Sequence, residues 1–447
     1  MRSYLGYLLV CIFCLSYNGA AQKFTLPEGT THEKVNFELI NNLIVIPIEI
    51  NQAKLNFILD TGVSNPILFN LSDQDSIQLR NVTEMTINGL GAGEPMKALK
   101  SNGNDFKLKK IRNLNQQLFV VLDKDINFSP TLGIPIHGII GYDLFRDFVV
   151  DINYGKKTIR FIDPIHYKES KRKKSETLPL SIINRKAYLD GEVSFEKQTN
   201  VPVKLLVDTG SSDAVWLFQD LDKGINIPEK NYADYLGKGL NGNIFGKRTK
   251  VHSLKIGNFV MNDAKAAFPD MFMFSSVKNL GDRNGSVGGE VLRRFNIVFN
   301  YPAGQITLKK NGFFMAPFQF NMSGLEIQHN GVRYIAERIT DSRGVVKRDE
   351  RAFGDVQILM ENRTRLSLVP EIIVSGIRAG SPAAEAGLRE GDIILAVNGK
   401  RIHKYKLQEV MNMINEKEGK RVRLLIERYN NDLVFSFTLK DAFKKKP

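Results

Sequence analysis

Asp-Thr-Gly stands twice in this chain, at Asp60-Thr61-Gly62 and Asp208-Thr209-Gly210, each time closing an apolar run, Leu55–Leu59 and Val203–Val207. A second shared element follows at nearly constant distance. In the first copy it is His137-Gly138-Ile139-Ile140-Gly141 and then Asp143–Phe148. In the second it is Gly285-Ser286-Val287-Gly288 and then Glu290–Phe295. The spacing from Asp60 to Gly141 is 81 positions and from Asp208 to Gly288 it is 80. A lone triplet arises by chance in roughly one chain in ten of this length and reads as a strand-to-turn corner, where Asp caps and Gly supplies a positive φ. The matched flanks make the case: a repeat this long is two copies of one supersecondary unit.

Other landmarks repeat in step. Val35–Leu39 and Leu43–Ile50 alternate around Asn41-Asn42 and read as a hairpin, and Pro179–Ile183 and Ala187–Phe195 do the same around Asn184-Arg185. Apolar strands follow each triplet at Pro66–Phe69 and Ala214–Phe218, and each copy ends in Asn-Tyr before a short alternating strand, Thr158–Phe161 or Gln305–Leu308. Between triplet and late block each copy carries a Gly-rich stretch, Asn88–Gly93 and Gly237–Gly242, which reads as a hinged hairpin tip.

At these residues the chain resembles the aspartic proteases, in particular retropepsin-like enzymes with two fused lobes, from about residue 35 to residue 310. The resemblance implies a mainly β fold of two pseudo-symmetric retropepsin/pepsin-like β lobes with the active site at their junction. It implies Asp60 and Asp208 as the catalytic pair, sharing one proton and activating water toward a polypeptide amide, with no metal and no cofactor. Thr61 and Thr209 then hold the two loops together across the junction, while Gly62 and Gly210 bring backbone N–H groups to the carboxylates. Ser211 is placed to bond the outer oxygen of Asp208, which Val63 in the first copy cannot do for Asp60. The Gly-rich tips, with Gly89, Gly91 and Gly93 in one copy and Gly239 and Gly242 in the other, become flaps over bound peptide. The second copy departs from the family pattern by placing Ser286 where an aliphatic residue is usual. The rival reading is a non-catalytic peptide-binding scaffold or envelope adaptor that keeps the lobes and the C-terminal module.

Composition bounds the rest. Met1-Arg2, the apolar stretch Tyr4–Tyr17 and the small residues Gly19 and Ala21 have the layout of a signal peptide ending at residue 21, so the expected location is the periplasm or cell envelope, with no membrane span in the mature chain. Both cysteines, Cys11 and Cys14, lie in that leader, which excludes a thiol nucleophile and a disulfide framework in the mature protein. A net charge of +14 comes without a nucleic-acid motif and reads as a basic surface rather than a nucleic-acid site. The six histidines are scattered, with no zinc-type pair among them.

The tail resembles a bacterial-type PDZ domain over Val374–Gly399. Ser381-Pro382 opens a short helix that Gly387 ends, and Asn398-Gly399 turns a hairpin. Leu407, Val410, Met411 and Ile414 recur at helical spacing, and the strand Val422–Arg428 turns at Asn430-Asn431 into Leu433–Leu439. The resemblance makes Gly324, Leu325, Glu326 and Ile327 candidates for a loop that captures a C-terminal peptide ligand. The expected organisation is a leader at 1–21, a first lobe at 22–165, a basic linker at 166–178, a second lobe at 179–316, and an α+β PDZ domain at 317–447 with an insertion at about 328–370.

Overall fold

The structure, a computed structural model, describes residues 23–71, 76–91, 93–169, 174–196, 200–274, 280–340, 345–347, 357–359 and 362–443. The expected leader, the core of the basic linker (170–173) and Ala92 between two of the candidate flap glycines lie outside these residues. The chain is mainly β. It forms two compact units: the described parts of Met1–Phe128, Pro135–Phe320 and Phe443–Pro447 make one, and Ser129–Ile134 with Asn321–Ala442 make the other.

The first unit holds both copies of the repeat, each as an eight-stranded sheet with the same strand order. In the first copy that order is Glu38–Ile40, Leu43–Ile50, Ala53–Leu59, Gly138–Ile140, Ile67–Leu68, Ile111–Val121, Met96–Leu108 and Val82–Ile87. The second repeats it with Ser181–Ile183, Lys186–Ser194, Asn200–Val207, Gly285–Val287, Val215–Leu217, Phe259–Pro269, Gly242–Ile256 and Asn231–Gly239. An extra pairing, Leu43–Ile50 with Met96–Leu108 or Lys186–Ser194 with Gly242–Ile256, folds each sheet back on itself. The side chains of the triplet strands account for this closure. Leu55, Phe57 and Leu59 in one, and Val203, Leu205 and Val207 in the other, are all buried, each worth about 1.5–3 kcal/mol when removed from water.

A six-stranded sheet joins the copies. Its order is His32–Asn36, Thr158–Ile162, Val149–Asn153, Phe295–Asn300, Gln305–Lys310 and Ser175–Pro179, and the central antiparallel pair sets Val150 opposite Phe299 and Ile152 opposite Ile297. Over that seam Phe145 stacks on Tyr301 with ring centroids 5.3 Å apart. The hairpins expected at Val35–Ile50 and Pro179–Phe195 form, with one correction. The chain leaves the joining sheet at Phe37 in the first copy and at Leu180 in the second, so each expected first strand is split between two sheets. Alternating burial did not reveal the break, because Val35 and Phe37 are both buried on either side of it.

In the second unit the sheet runs Leu325–Thr340, Asn362–Ile377, Ile393–Val397, Arg421–Arg428 and Asn431–Thr438. Ser381 caps the Pro382–Glu385 helix by accepting the Ala384 N–H at 3.3 Å, and the Leu407–Ile414 helix buries Leu407, Val410 and Ile414. Within this unit the Ser129–Leu132 helical turn packs on the Leu325–Thr340 strand. The expected insertion is the long antiparallel ribbon made by that strand and Asn362–Ile377, whose pairing runs out to Thr340 opposite Asn362. The turn expected at Asn430-Asn431 falls one residue earlier. Tyr429 and Asn430 take the left-handed conformation, at φ 51° and 61°, so that Arg428 pairs with Asn431. Among the described residues no helix is long and apolar enough to cross a membrane.

Candidate active site

Each triplet begins where its strand runs out. The Asp60 N–H donates to the Ile140 carbonyl at 2.8 Å and the Asp208 N–H to the Val287 carbonyl at 2.9 Å, so the parallel strands Gly138–Ile140 and Gly285–Val287 thread beside the two triplets. The threonines cross between copies. Thr61 donates its backbone N–H to Thr209 Oγ1 at 3.0 Å and its hydroxyl to the Val207 carbonyl at 2.6 Å. Thr209 returns the pattern, N–H to Thr61 Oγ1 at 3.0 Å and hydroxyl to the Leu59 carbonyl at 2.7 Å. Both side chains are fully enclosed, so four hydrogen bonds shielded from water fix one loop against the other.

The two aspartates meet at this crossing, and their carboxyls hydrogen-bond each other. Gly62 N–H donates to Asp60 Oδ1 at 2.7 Å and Gly210 N–H to Asp208 Oδ1 at 3.0 Å. Neither glycine has a positive φ; their role is close approach. A Cβ on Gly210 would overlap the Asp60 carboxyl, and one on Gly62 would lie 3.0 Å from Asp60 Oδ1 and 3.3 Å from Asp208 Oδ1. Ser211 departs from expectation. Its hydroxyl makes no hydrogen bond to Asp208 and faces Gly288, where a Cβ would lie 3.0 Å from Oγ, while its carbonyl accepts the Gly289 N–H at 2.7 Å.

Burial, and next the Asp208 charge, push the Asp60 carboxyl up to about 8. Burial also raises Asp208, but the Arg283 charge, the Gly210 N–H and the hydrogen bond from Asp60 oppose the rise. The pair therefore titrates as a unit that keeps one proton between its members, and the opposing cation and N–H bias the charge toward Asp208.

Two cations that sequence reading passed over stand by Asp208. Lys186 begins the strand beside the second triplet strand, and the pairing of Tyr188 with Leu206 carries it to the position opposite Asp208. In the first copy the pairing of Val45 with Ile58 carries Leu43 to the position opposite Asp60. Arg283 lies two residues before Gly285, which pairs with Leu205; its counterpart, two residues before Gly138, is Ile136. The residue between confirms the match. His137 Nδ1 accepts the Asn56 N–H at 3.0 Å and Asn284 Oδ1 accepts the Lys204 N–H at 2.9 Å, at equivalent places. Aligning the copies on their Asn41-Asn42 and Asn184-Arg185 turns and on Gly138 and Gly285 would have exposed the exchange of two apolar residues for two cations.

The five candidate flap glycines lie at or next to two hairpin tips, one between Val82–Ile87 and Met96–Leu108, the other between Asn231–Gly239 and Gly242–Ile256. These tips meet. Asn241, buried at 5 % exposure, accepts the Gly89 N–H on Oδ1 at 2.7 Å and donates through Nδ2 to the Gly93 and Glu94 carbonyls, each at 3.2 Å. Its backbone N–H donates to the Leu90 carbonyl at 2.9 Å, and its carbonyl accepts the Gly93 N–H at 2.8 Å. Side chains at Gly89, Gly91, Gly93 and Gly239 would collide with the opposite tip; Gly242, at φ +110°, meets nothing and serves the turn itself.

In the second unit Leu325 and Ile327 are buried in the core, Glu326 receives a hydrogen bond from Asn321 at 3.0 Å, and Gly324 takes φ +77° against Ser381. The loop's N–H groups are already bonded: Ser323 to Asn415 Oδ1 at 3.0 Å, Gly324 to Asn321 Oδ1 at 2.8 Å and Leu325 to Ser323 Oγ at 3.2 Å. Of the four candidates for peptide capture, Gly324 and Leu325 thus have their N–H groups bonded within the loop.

No cluster of histidine and carboxylate side chains among the described residues could hold a metal ion. Residues 46–144 and 192–291 each match the aspartyl protease family, and residues 373–428 match the PDZ domain. The two protease matches contain both triplets and both glycines of the threading strands.

Proposed function

We propose, for a chain whose two lobes each match the aspartyl protease family and whose C-terminal unit matches the PDZ domain, that it is an endopeptidase acting through Asp60 and Asp208. The observation that carries this reading is the meeting of two buried carboxyls, both Oδ1 atoms within 3.3 Å of one point beside Gly62, where the crossed threonines lock the two loops together. Asp208, as carboxylate, takes a proton from a water molecule while the water oxygen attacks the amide carbon. Asp60 gives its proton to the carbonyl oxygen, and a neutral tetrahedral diol results. The proton on Asp208 then passes to the nitrogen as the C–N bond breaks, and Asp60 recovers its own from the diol hydroxyl. Atoms and charge balance with neither a covalent intermediate nor a metal in the scheme.

The hairpin tips act in this scheme as paired flaps. They part to admit polypeptide and rejoin through Asn241 to exclude bulk water, which strengthens the electrostatics within. The PDZ domain supplies a second contact for substrate or partner polypeptide. The leader composition supports export to the periplasm or envelope; cell fractionation, with N-terminal sequencing beginning at Gln22, tests that part.

The decisive experiment incubates full-length protein with an unfolded polypeptide between about pH 4 and 8, the span relevant to a pair that shares a proton. Cleavage lost in both Asp60→Asn and Asp208→Asn is the expected result. Cleavage persisting in the double variant rejects the mechanism, and binding without cleavage in the unaltered protein makes the lobes a peptide-binding scaffold.

A further inference from the structure

We propose that Arg283 and Lys186 form a carboxylate-binding subsite beside Asp208, selecting polypeptides with an acidic side chain next to the bond to be cut. This rests on the endopeptidase reading and names the substrate class of the same site.

The first observation is asymmetry. The two lobes reproduce each other strand for strand, yet the places filled by Leu43 and Ile136 beside Asp60 are filled by Lys186 and Arg283 beside Asp208. Leu43 and Ile136 are buried at 7 % and 0 % exposure, and Arg283 at 9 %. A buried guanidinium in an apolar position is costly unless something compensates it.

Compensation within the protein is incomplete. Arg283 donates Nε to the Gly285 carbonyl at 2.9 Å and lies over the Phe218 ring with its central carbon 5.1 Å from the centroid. Its terminal nitrogens have no hydrogen-bond partner among the described residues, and neither Arg283 nor Lys186 has a described carboxylate within ion-pair distance, 4.0 Å. The negative groups that act on Arg283 are Asp208 and then Tyr188, and on Lys186 they are Asp60 and then Asp208; the two aspartates share one proton and so carry one negative charge between them. Two cations against one anion leave the cluster positive. Burial holds both cations below their ordinary range, and for Lys186 repulsion from Arg283 adds to it. An incoming carboxylate relieves that excess.

The donor set fits a carboxylate. With Nε tied to backbone and the guanidinium face on Phe218, the remaining N–H groups lie in one plane and match two carboxylate oxygens. Lys186, partly exposed at the strand end, adds a mobile point charge. A cation whose only task was to tune Asp208 would alter the pH profile for every substrate alike. A recognition site discriminates between a carboxylate and its amide.

The test uses the full-length protein and fluorogenic peptides with Glu, Gln or Leu placed in turn at three positions on either side of the cleaved bond. At one position Glu should exceed Gln in kcat/KM by about 10–100-fold, the span of a charge-assisted hydrogen bond. Arg283→Met should bring that ratio within about threefold of unity, while Arg283→Lys should keep part of it; melting curves establish that each variant is folded. Cleavage with no Glu preference in the unaltered protein, or a preference surviving in Arg283→Met with Lys186→Met, overturns the subsite and leaves the endopeptidase reading standing. Fluorescence anisotropy of the same peptides on Asp60→Asn protein separates the converse case. Glu-selective binding lost with Arg283→Met supports the subsite even when no peptide is cut, and absence of both cleavage and binding rejects it.

Discussion

Asn241 of one hairpin tip accepts the Gly89 N–H of the other at 2.7 Å, although 152 residues separate them. With its two amide donors and both backbone groups also engaged across the tips, one buried side chain couples two hairpins from different lobes.

Asn241→Ala removes three side-chain hydrogen bonds and leaves the backbone pair. Each is worth about 0.5–1.5 kcal/mol, so the closed arrangement should lose on the order of 2 kcal/mol. The cost falls on tip closure rather than on the sheets. Amide exchange at residues 88–91 and 239–242 should quicken by tenfold or more, with melting shifted by less than about 2 °C and KM for peptide raised. Unchanged exchange at the tips would refute the coupling.

Thr209→Val keeps the shape of a side chain that is 1 % exposed while removing the acceptor for the Thr61 N–H and the donor for the Leu59 carbonyl. Two buried groups are left without partners, at about 1–3 kcal/mol each. Chemical denaturation should show a loss of about 3 kcal/mol, and Thr61→Val should match it through the mirrored bonds to Val207 and the Thr209 N–H. Together the two should cost slightly less than the sum, because both remove the one bond they share, from Thr209 Oγ1 to Thr61 Oγ1 at 3.5 Å. Strict additivity would mean the crossed bonds act independently.

Stability should depend on pH through the aspartate pair. Asp60 is raised from 3.8 to about 8 in the folded protein, so the folded state keeps a proton that the unfolded chain has released. Stability from this group is complete below pH 3.8 and declines as pH rises through about 8. Asp60→Asn holds neutral chemistry at every pH. It should therefore stabilise the protein near pH 7, on the order of 2 kcal/mol, below the full shift because the two carboxyls share one proton. Peptide cleavage in the unaltered protein should fall over the same alkaline limb, near pH 8. A melting temperature for Asp60→Asn equal to or below that of the unaltered protein at pH 7 would contradict the assignment.

What could be read from the chain and what could not follow a physical division. The triplets, the threading glycines and the Asn41-Asn42 and Asn184-Arg185 turns were legible because each is a local backbone demand stated twice. The requirement at Gly62 and Gly210 was legible in kind but not in cause, since the atom that excludes a side chain at Gly210 belongs to Asp60 in the other copy. Asn241 sat inside a recognised glycine-rich stretch, yet its partners become neighbours only when two lobes close. Lys186 and Arg283 looked like ordinary surface cations because strand ends commonly carry them. The placing of Ser211 on Asp208 came from the resemblance alone, and nothing in the local sequence shows that its hydroxyl turns toward Gly288 instead.

The PDZ domain leads to a prediction opposite to the one its resemblance invites. Capture of a C-terminal carboxylate draws on backbone N–H groups that point, unbonded, into the groove. Here the N–H groups of Ser323, Gly324 and Leu325 are bonded to Asn415, Asn321 and the Ser323 hydroxyl. A carboxylate would have to displace side chains that already satisfy these donors, and the exchange gains little. On full-length Asp60→Asn protein, amidating the C terminus of a bound peptide should change Kd by less than about threefold, within one ordinary hydrogen bond. Asn321→Ala frees the Gly324 donor and the Ser323 hydroxyl together, and should make the free acid bind more tightly than the amide. A tenfold loss on amidation in the unaltered loop would show that the side chains yield to a ligand, and would restore Gly324 and Leu325 as the capturing residues.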